Sequence, residues 1–148
     1  GQVVSILQDG KPSSGIDKEI TMLKQLEELG LPVVNAEKVI VDGKPGILMD
    51  KYAQDSKSIV AYDRGRKKVV LNLGADTSLL NQNSIDDLTS IKQTMKDSKT
   101  CIYDLQFLIK EDGQVVIADP LDVILGEKPG KNNIKMIDIL IEEARKNG

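Results

Sequence analysis

The chain has no histidine and no tryptophan in 148 residues, a single cysteine, and only 3% aromatic residues. Each shortage removes a class of chemistry. Without histidine there is no Ser-His-Asp or Cys-His nucleophile, no imidazole metal ligand and no His acid/base pair of the kind many ribonucleases use. Without tryptophan, and with so few aromatics, a platform for stacking bases has little to be built from. The lone Cys101 allows no internal disulfide and fits a reducing site of action; it reads as a small buried residue. No run approaches the ~18 apolar residues of a membrane span, and no signal peptide is recognisable. The chain begins with Gly, not Met, and reads as part of something longer. Any catalysis falls to carboxylates, Lys, Arg, Ser, Thr or Tyr.

What is present is ordinary in bulk. At 148 residues, 40% apolar and 29% charged, the chain has the composition of one globular domain spanning residues 1–148, with a real core. A net charge of −3 and a pI near 5.0 argue against a general nucleic-acid binder. The local exception is Arg64-Gly65-Arg66-Lys67-Lys68, read as a solvated hairpin turn with an RNA or phosphate contact as the minority alternative.

The pattern of apolar residues predicts the elements. Val3–Leu7 reads as a strand, followed by a loop carrying Lys11. Ile16, Ile20, Leu23, Leu26 and Leu29 recur at helical period, with Ser14 and Asp17 as a capping box and Gly30 as the stop. Val39–Val41 and Gly46–Met49 form a hairpin around Asp42-Gly43, a strong turn signal. Ile59–Tyr62 and Lys67–Leu73 form a second. Ser84 with Asp87 is expected to cap a helix with face Ile85, Leu88, Ile91 and Met95. Asn132 or Asn133 is expected to cap the last helix, with Ile134, Ile137, Ile141 and Ala144 on one side. Separated helices and hairpins make this an α+β fold with three main helices, not the βαβ alternation of a parallel sheet.

The stretch from Cys101 to Val123 holds the candidate chemistry. Phe107-Leu108-Ile109 and Val115-Val116-Ile117 read as strands joined through Glu111-Asp112-Gly113. Asp104 precedes the first and Asp119 follows the second, so both stand at one end of the hairpin. Two acids so placed suit phosphate chemistry, one taking a hydroxyl proton and one holding Mg²⁺. Asp is also common at strand ends for its turn-forming side chain, which is the competing structural explanation.

The order of motifs resembles protein-kinase-like and aminoglycoside-phosphotransferase-like folds. A helix carrying Glu19 leads through Gly30-Leu31-Pro32-Val33 to a hairpin and Ile47-Leu48-Met49-Asp50-Lys51-Tyr52, like the helix αC, the central strands and the hinge of a kinase small lobe. Tyr103-Asp104-Leu105-Gln106 and Ile117-Ala118-Asp119-Pro120 look like a catalytic loop and a metal-binding Asp. The whole is similar to kinase-like toxin domains at the C-terminal tips of bacterial polymorphic and contact-dependent inhibition toxins. The resemblance implies residues 1–52 as a small-lobe-like part with an incomplete N-terminal lobe, and residues 53–148 as the catalytic-loop and C-terminal helix part. It implies Asp104 as catalytic base, Glu19 as the αC Glu, Met49, Asp50, Lys51 and Tyr52 as the ATP hinge, and Asp119 with Gln106 toward Mg²⁺. The sequence departs from the kinase pattern in three places: Ile109 stands where the second metal ligand belongs, Pro120 replaces the Phe of Asp-Phe-Gly, and Ser5 falls near the slot of the phosphate-binding Lys.

The implied activity is ATP- and Mg²⁺-dependent phosphoryl transfer to a macromolecular hydroxyl. The implied setting is secretion as part of a larger protein, action in the target-cell cytoplasm, and a cognate immunity protein or target-cell macromolecule as partner. Two alternatives stay open: a His-free ribonuclease using Asp104, Asp119 and Arg64–Lys68, and a degenerate binding module without turnover.

Overall fold

The computed structural model describes residues 2–6 and 14–147, with side chains from residue 15 onward. Lys11 and the expected Ser14 cap lie outside that description. In chain order the elements are β1 (Gln2–Ile6), α1 (Ser14–Glu28), β2 (Ala36–Val41), β3 (Lys44–Asp50), β4 (Gln54–Asp55), a single 3-10 turn (Ser56–Ser58), β5 (Val60–Asp63), β6 (Lys68–Leu71), α2 (Gln82–Ser98), β7 (Thr100–Tyr103), β8 (Gln106–Ile109), β9 (Val115–Ala118), β10 (Asp122–Leu125) and α3 (Lys131–Lys146). Among the described residues the six strand pairings are antiparallel, and one isolated bridge, Val33 to Ile117, is parallel. The α+β class and the three helices are as expected.

The first part is a three-stranded sheet, ordered β1-β3-β2, with α1 against it. α1 buries Ile16, Leu23 and Leu26. It stops at Gly30, whose φ of 93° lets its N–H reach the Glu27 carbonyl (2.9 Å) while Leu31 N–H reaches that of Leu26 (3.2 Å). The β2–β3 turn has positive φ at both Asp42 (51°) and Gly43 (78°), the geometry whose twist matches that of the paired strands.

The second part is built on β8 and β9. Phe107, Ile109, Val115 and Ile117 are buried with Leu88, Ile91 and Met95 of α2 and Ile137 and Leu140 of α3. The opposite face, Val116 and Ala118, packs with Leu23 and Val34, and with partly buried Met49, Tyr52 and Leu108. The hairpin is therefore covered on both sides, which explains why its strands read as continuous apolar runs.

Both expected helix caps need correction. α2 is capped by Asn81, not Ser84: the Asn81 side chain accepts from the N–H groups of Asn83 and Ser84, and Ser84 accepts in return from Asn81 N–H. Ser84 Oγ also donates to the Gly113 carbonyl at 2.5 Å, and the Asp87 carboxylate accepts from Val115 N–H at 2.8 Å. The helix start is thus chosen by its attachment to the β8–β9 turn. α3 begins after Gly130 without a side-chain cap. Asn133 is turned inward instead, and Asn132 is exposed. Two further elements carry no sequence signal long enough to read: the β7–β10 ladder and β4.

Gly113 marks the tightest of these joints. Its φ is +89°, and a Cβ there would lie 2.1 Å from Asn81 Oδ1. Gly113→Ala therefore strains the turn and displaces the α2 cap. The expected cost is about 2 kcal/mol, read as a lower urea midpoint at unchanged slope.

Candidate active site

β7–β10 and β8–β9 are successive stretches of one antiparallel ribbon. Asp122 pairs with Tyr103 in the first ladder, and Gln106 with Ala118 in the second. Between them one strand has Asp104-Leu105 and the other Asp119-Pro120-Leu121, so the ribbon breaks with one extra residue on the second strand. Both acids sit in the break in left-handed backbone, φ 55° at Asp104 and 47° at Asp119. Leu121 N–H donates to the Tyr103 carbonyl at 3.1 Å and holds the two strands together across it. Asp tolerates this conformation better than most residues, and such breaks re-aim side chains beside active sites.

The two acids meet different neighbours. Asp119 is hydrogen-bonded to the carboxyl of Glu19 on α1. Burial first, then that hydrogen bond and the negative charge of Asp119, push Glu19 from 4.5 up to about 7. The proton is favoured on Glu19 because its carboxyl is partly buried beside the negative charge of Asp119. Asp104 is half-exposed, with Lys57 Nζ 3.9 Å from its Oδ2.

Gln106, expected near a metal, is only 6% exposed and opposite Ala118. Its amide N–H donates to Asp55 Oδ2, and its Oε1 is buried without a partner among the described residues. The expected hinge residues leave β3 and cross the far end of the hairpin, where Ala53 N–H donates to the Ile109 carbonyl at 3.0 Å. Met49 packs into the apolar cluster of Leu23, Val34, Val116 and Ala118. Asp50, Lys51 and Tyr52 border an open groove of about 830 Å³, closed on its other side by Lys110–Asp112. Lys110 Nζ stands 6.0 Å from the centre of the Tyr52 ring. Hinge and acids lie at opposite ends of a four-residue strand, about 13 Å apart along it. Arg64 borders a cleft that also holds Asp104, whereas Arg66 turns back to Asp63 at 3.6 Å.

Three supporting residues escaped the sequence reading. Asn133 Nδ2 donates to the Ile102 carbonyl (2.8 Å) and its Oδ1 accepts from Ile102 N–H (3.0 Å), imitating a strand on the free edge of β7, two residues before Asp104. Ser56, buried, accepts from Phe107 N–H at 2.9 Å. Asp55 holds Gln106 and also accepts from Lys57 N–H at 2.9 Å. The one available signal was an asparagine at an otherwise apolar position of α3.

Two measurements follow. Asn133→Leu leaves both Ile102 backbone groups unpaired in the interior, at an expected cost of about 2–4 kcal/mol in urea unfolding. For Glu19, protonation is favoured in the folded chain, so its contribution is full below its ordinary value of 4.5 and is lost as pH rises through about 7. In EDTA the melting temperature of the native chain should fall over that window relative to Glu19→Gln, and the two profiles should run parallel above pH 8.

The described residues contain no helix long and apolar enough to cross a membrane, and no cluster of three or more Cys, Asp or Glu that could hold a metal by itself. The chain resembles known proteins along its length. The profile of the type III secretion system effector HopBF1 kinase domain matches residues 1–148. The type III effector protein HopBF1 of Pseudomonas syringae pv. syringae (strain FF5) is 36% identical over 110 residues, 72% of this chain and 51% of that protein. The match thus spans about half the length of that relative. With the α+β hairpin architecture and a family match from end to end, the chain belongs to the HopBF1 kinase-domain family of type III secretion system effectors.

Proposed function

We propose that the chain is an effector phosphotransferase that moves a phosphoryl group from ATP to a hydroxyl on a host-cell macromolecule. Residues 1–52 form its small-lobe part and residues 53–148 its catalytic part. The observation that carries the reading is the hydrogen-bonded contact of Glu19 with Asp119, which ties α1 to one end of the hairpin while the Met49–Tyr52 segment crosses the other. A nucleotide laid along the hairpin would have its base at Met49–Tyr52, in the groove that Asp50, Lys51 and Tyr52 border, and its phosphates at the acids. The length of the strands suits that span.

In this reading Asp104 accepts the proton of the attacking hydroxyl at its carboxylate, and Lys57 holds that carboxylate in place. Asp119 and Glu19 fit a cation: a carboxyl whose charge is disfavoured by burial and by a neighbouring carboxylate is one that positive charge relieves. A Mg²⁺ held there by Asp119 and Glu19 would supply neutralisation of the phosphate charge. Gln106 supports the site from beneath, through Asp55. Delivery by type III secretion is read from the relative's name, which lends no support to the contact-dependent route and immunity protein expected from the sequence. Action inside the recipient cell follows from the same name.

The test is nucleotide binding and transfer by the full chain. Calorimetry should show ATP binding that strengthens with Mg²⁺ and weakens in Asp119→Asn. Asp104→Asn should retain ATP binding and the native melting temperature, while transfer drops by about a hundredfold to ten-thousandfold, the usual worth of a general base. Failure to bind ATP at millimolar concentration, or full transfer by Asp104→Asn, would reject the reading.

A further inference from the structure

The 3-10 turn that carries Lys57 is held more firmly than a surface turn requires. Lys57 N–H donates to Asp55 Oδ1 (2.9 Å), and the Lys57 carbonyl accepts from Asn72 Nδ2 (3.0 Å). Ser56, before it, is buried and accepts from Phe107 N–H of β8 (2.9 Å). Ser58, after it, donates from Oγ to the Asp55 carbonyl (2.8 Å). Yet the side chain that these bonds place is 57% exposed. An exposed ion pair adds little to stability, so the pairing with Asp104 does not account for so much fixing of the backbone.

Asp55 and Gln106 join this turn to the ribbon. Asp55 stands opposite Leu108 in the β4–β8 ladder, and its Oδ2 accepts from Gln106 Nε2. The amide has one workable orientation, because turned round it would set Oε1 against the carboxylate. Lys57 lies two residues after Asp55, and Asp104 two residues before Gln106. One carboxylate–amide contact thus sets the register between a cation and a carboxylate on separate stretches of chain. Lys57 Nζ comes to 3.9 Å from Asp104 Oδ2, close enough for attraction but too far for a hydrogen bond. Nζ donates no hydrogen bond among the described residues, so its N–H groups stand available beside Asp104.

We propose that Lys57 is a second catalytic residue, its ammonium touching the oxygens of the phosphoryl group in transfer, and that Asp55 is the residue that positions it. The inference rests on the phosphoryl-transfer reading, in which Asp104 receives the acceptor's proton. In that step a lone pair of the acceptor oxygen forms the new O–P bond. The bond from the γ-phosphorus to its bridging oxygen breaks, and its electron pair leaves on ADP. The hydroxyl proton passes to Asp104, while Lys57 stays protonated throughout. An acceptor oxygen hydrogen-bonded to Asp104 lies about 2.7 Å from the carboxylate, with the phosphorus about 3 Å beyond it. A lysine whose Nζ already stands beside that carboxylate reaches the phosphoryl oxygens by small rotations of its own stem. It brings fixed positive charge to the place where negative charge spreads over three oxygens.

The test is calorimetry on the full chain with ADP and Mg²⁺, with and without aluminium fluoride, whose complex with ADP copies the phosphoryl group in transfer. ADP alone reads the nucleotide site. The gain on adding aluminium fluoride reads contacts made only to the transferring group, and needs no acceptor. The native chain should gain about a hundredfold in affinity, the usual worth of a donor aimed at developing charge. Lys57→Met should lose most of that gain while its ADP affinity and melting temperature stay native, and Lys57→Arg should keep part of it. Asp55→Ala should lose the gain by freeing the turn. Asp55→Asn should keep it, because Asn still caps Lys57 N–H and Gln106 can turn its amide to accept. Lys135→Met, on the exposed face of α3, should match the native chain. A full gain in Lys57→Met, or no gain in a native chain that binds ADP, would overturn the inference while sparing the phosphotransferase reading. A native chain that binds neither ADP nor ATP would reject that reading, and the inference with it.

Discussion

The backbone hydrogen bonding of residues 100–125 as one antiparallel ribbon is the constraint on which the rest depends. Its β8–β9 half has little free edge. β4 pairs along β8, with Gln54 opposite Ile109 and Asp55 opposite Leu108. On the β9 side, Ile117 N–H donates to the Pro32 carbonyl and Ile117 C=O accepts from Val34 N–H, each at 2.9 Å. The turn is held by Ser84, Asn81 and Asn83 of α2. A buried ribbon must satisfy its backbone groups somewhere, and these are the places. The consequence is positional: α1, the hinge segment and α2 are all fixed relative to the same four-residue strands, so the acids at the ribbon's break are fixed relative to them too.

That break is also where the chain gives up stability. Two non-glycine residues in left-handed backbone and two carboxyls in contact are each unfavourable taken alone. They persist because the ribbon on either side is over-determined by the β7–β10 ladder, the Asn133 clamp and the two-sided burial of β8 and β9. Strain held by a rigid surround is what a charge-handling site requires. Its groups are arranged before the ligand arrives, and the ligand rather than the fold supplies the missing charge.

Much of this was legible in the sequence, and the limits are physical. Long amphipathic periods revealed three helices. Asp42-Gly43 and Glu111-Asp112-Gly113 revealed two hairpins, because only certain residues accept positive φ. The placement of Asp104 and Asp119 at one end followed from the return of two equal strands. The caps did not follow, because Asn81, Asn83, Ser84, Asn132 and Asn133 are all competent to cap, and tertiary contacts decided among them. The β7–β10 ladder is four residues long on each strand, too short for alternation to register. The charge of the cleft beside Asp104 was only partly legible: the Arg64–Lys68 run stood out, but Lys57 and Lys131 come from separate stretches of chain and share a border with it only when β5–β6 packs beside α3.

The two acids at the break began as chemically equivalent, and the fold makes them different. Asp119 faces Glu19 from α1, so its surroundings repel a further negative charge and welcome a cation. Asp104 stands 3.9 Å from Lys57 Nζ, beside a cleft that Arg64, Lys67 and Lys131 border. Two carboxylates given opposite electrostatic settings a few residues apart are how one site obtains two roles from one residue type. In the proposed phosphotransferase reading, this is how a chain without histidine would separate proton acceptance from metal holding. It explains why the supporting residues that matter here, Asp55 and Asn133, act on backbone and charge rather than on any reacting atom.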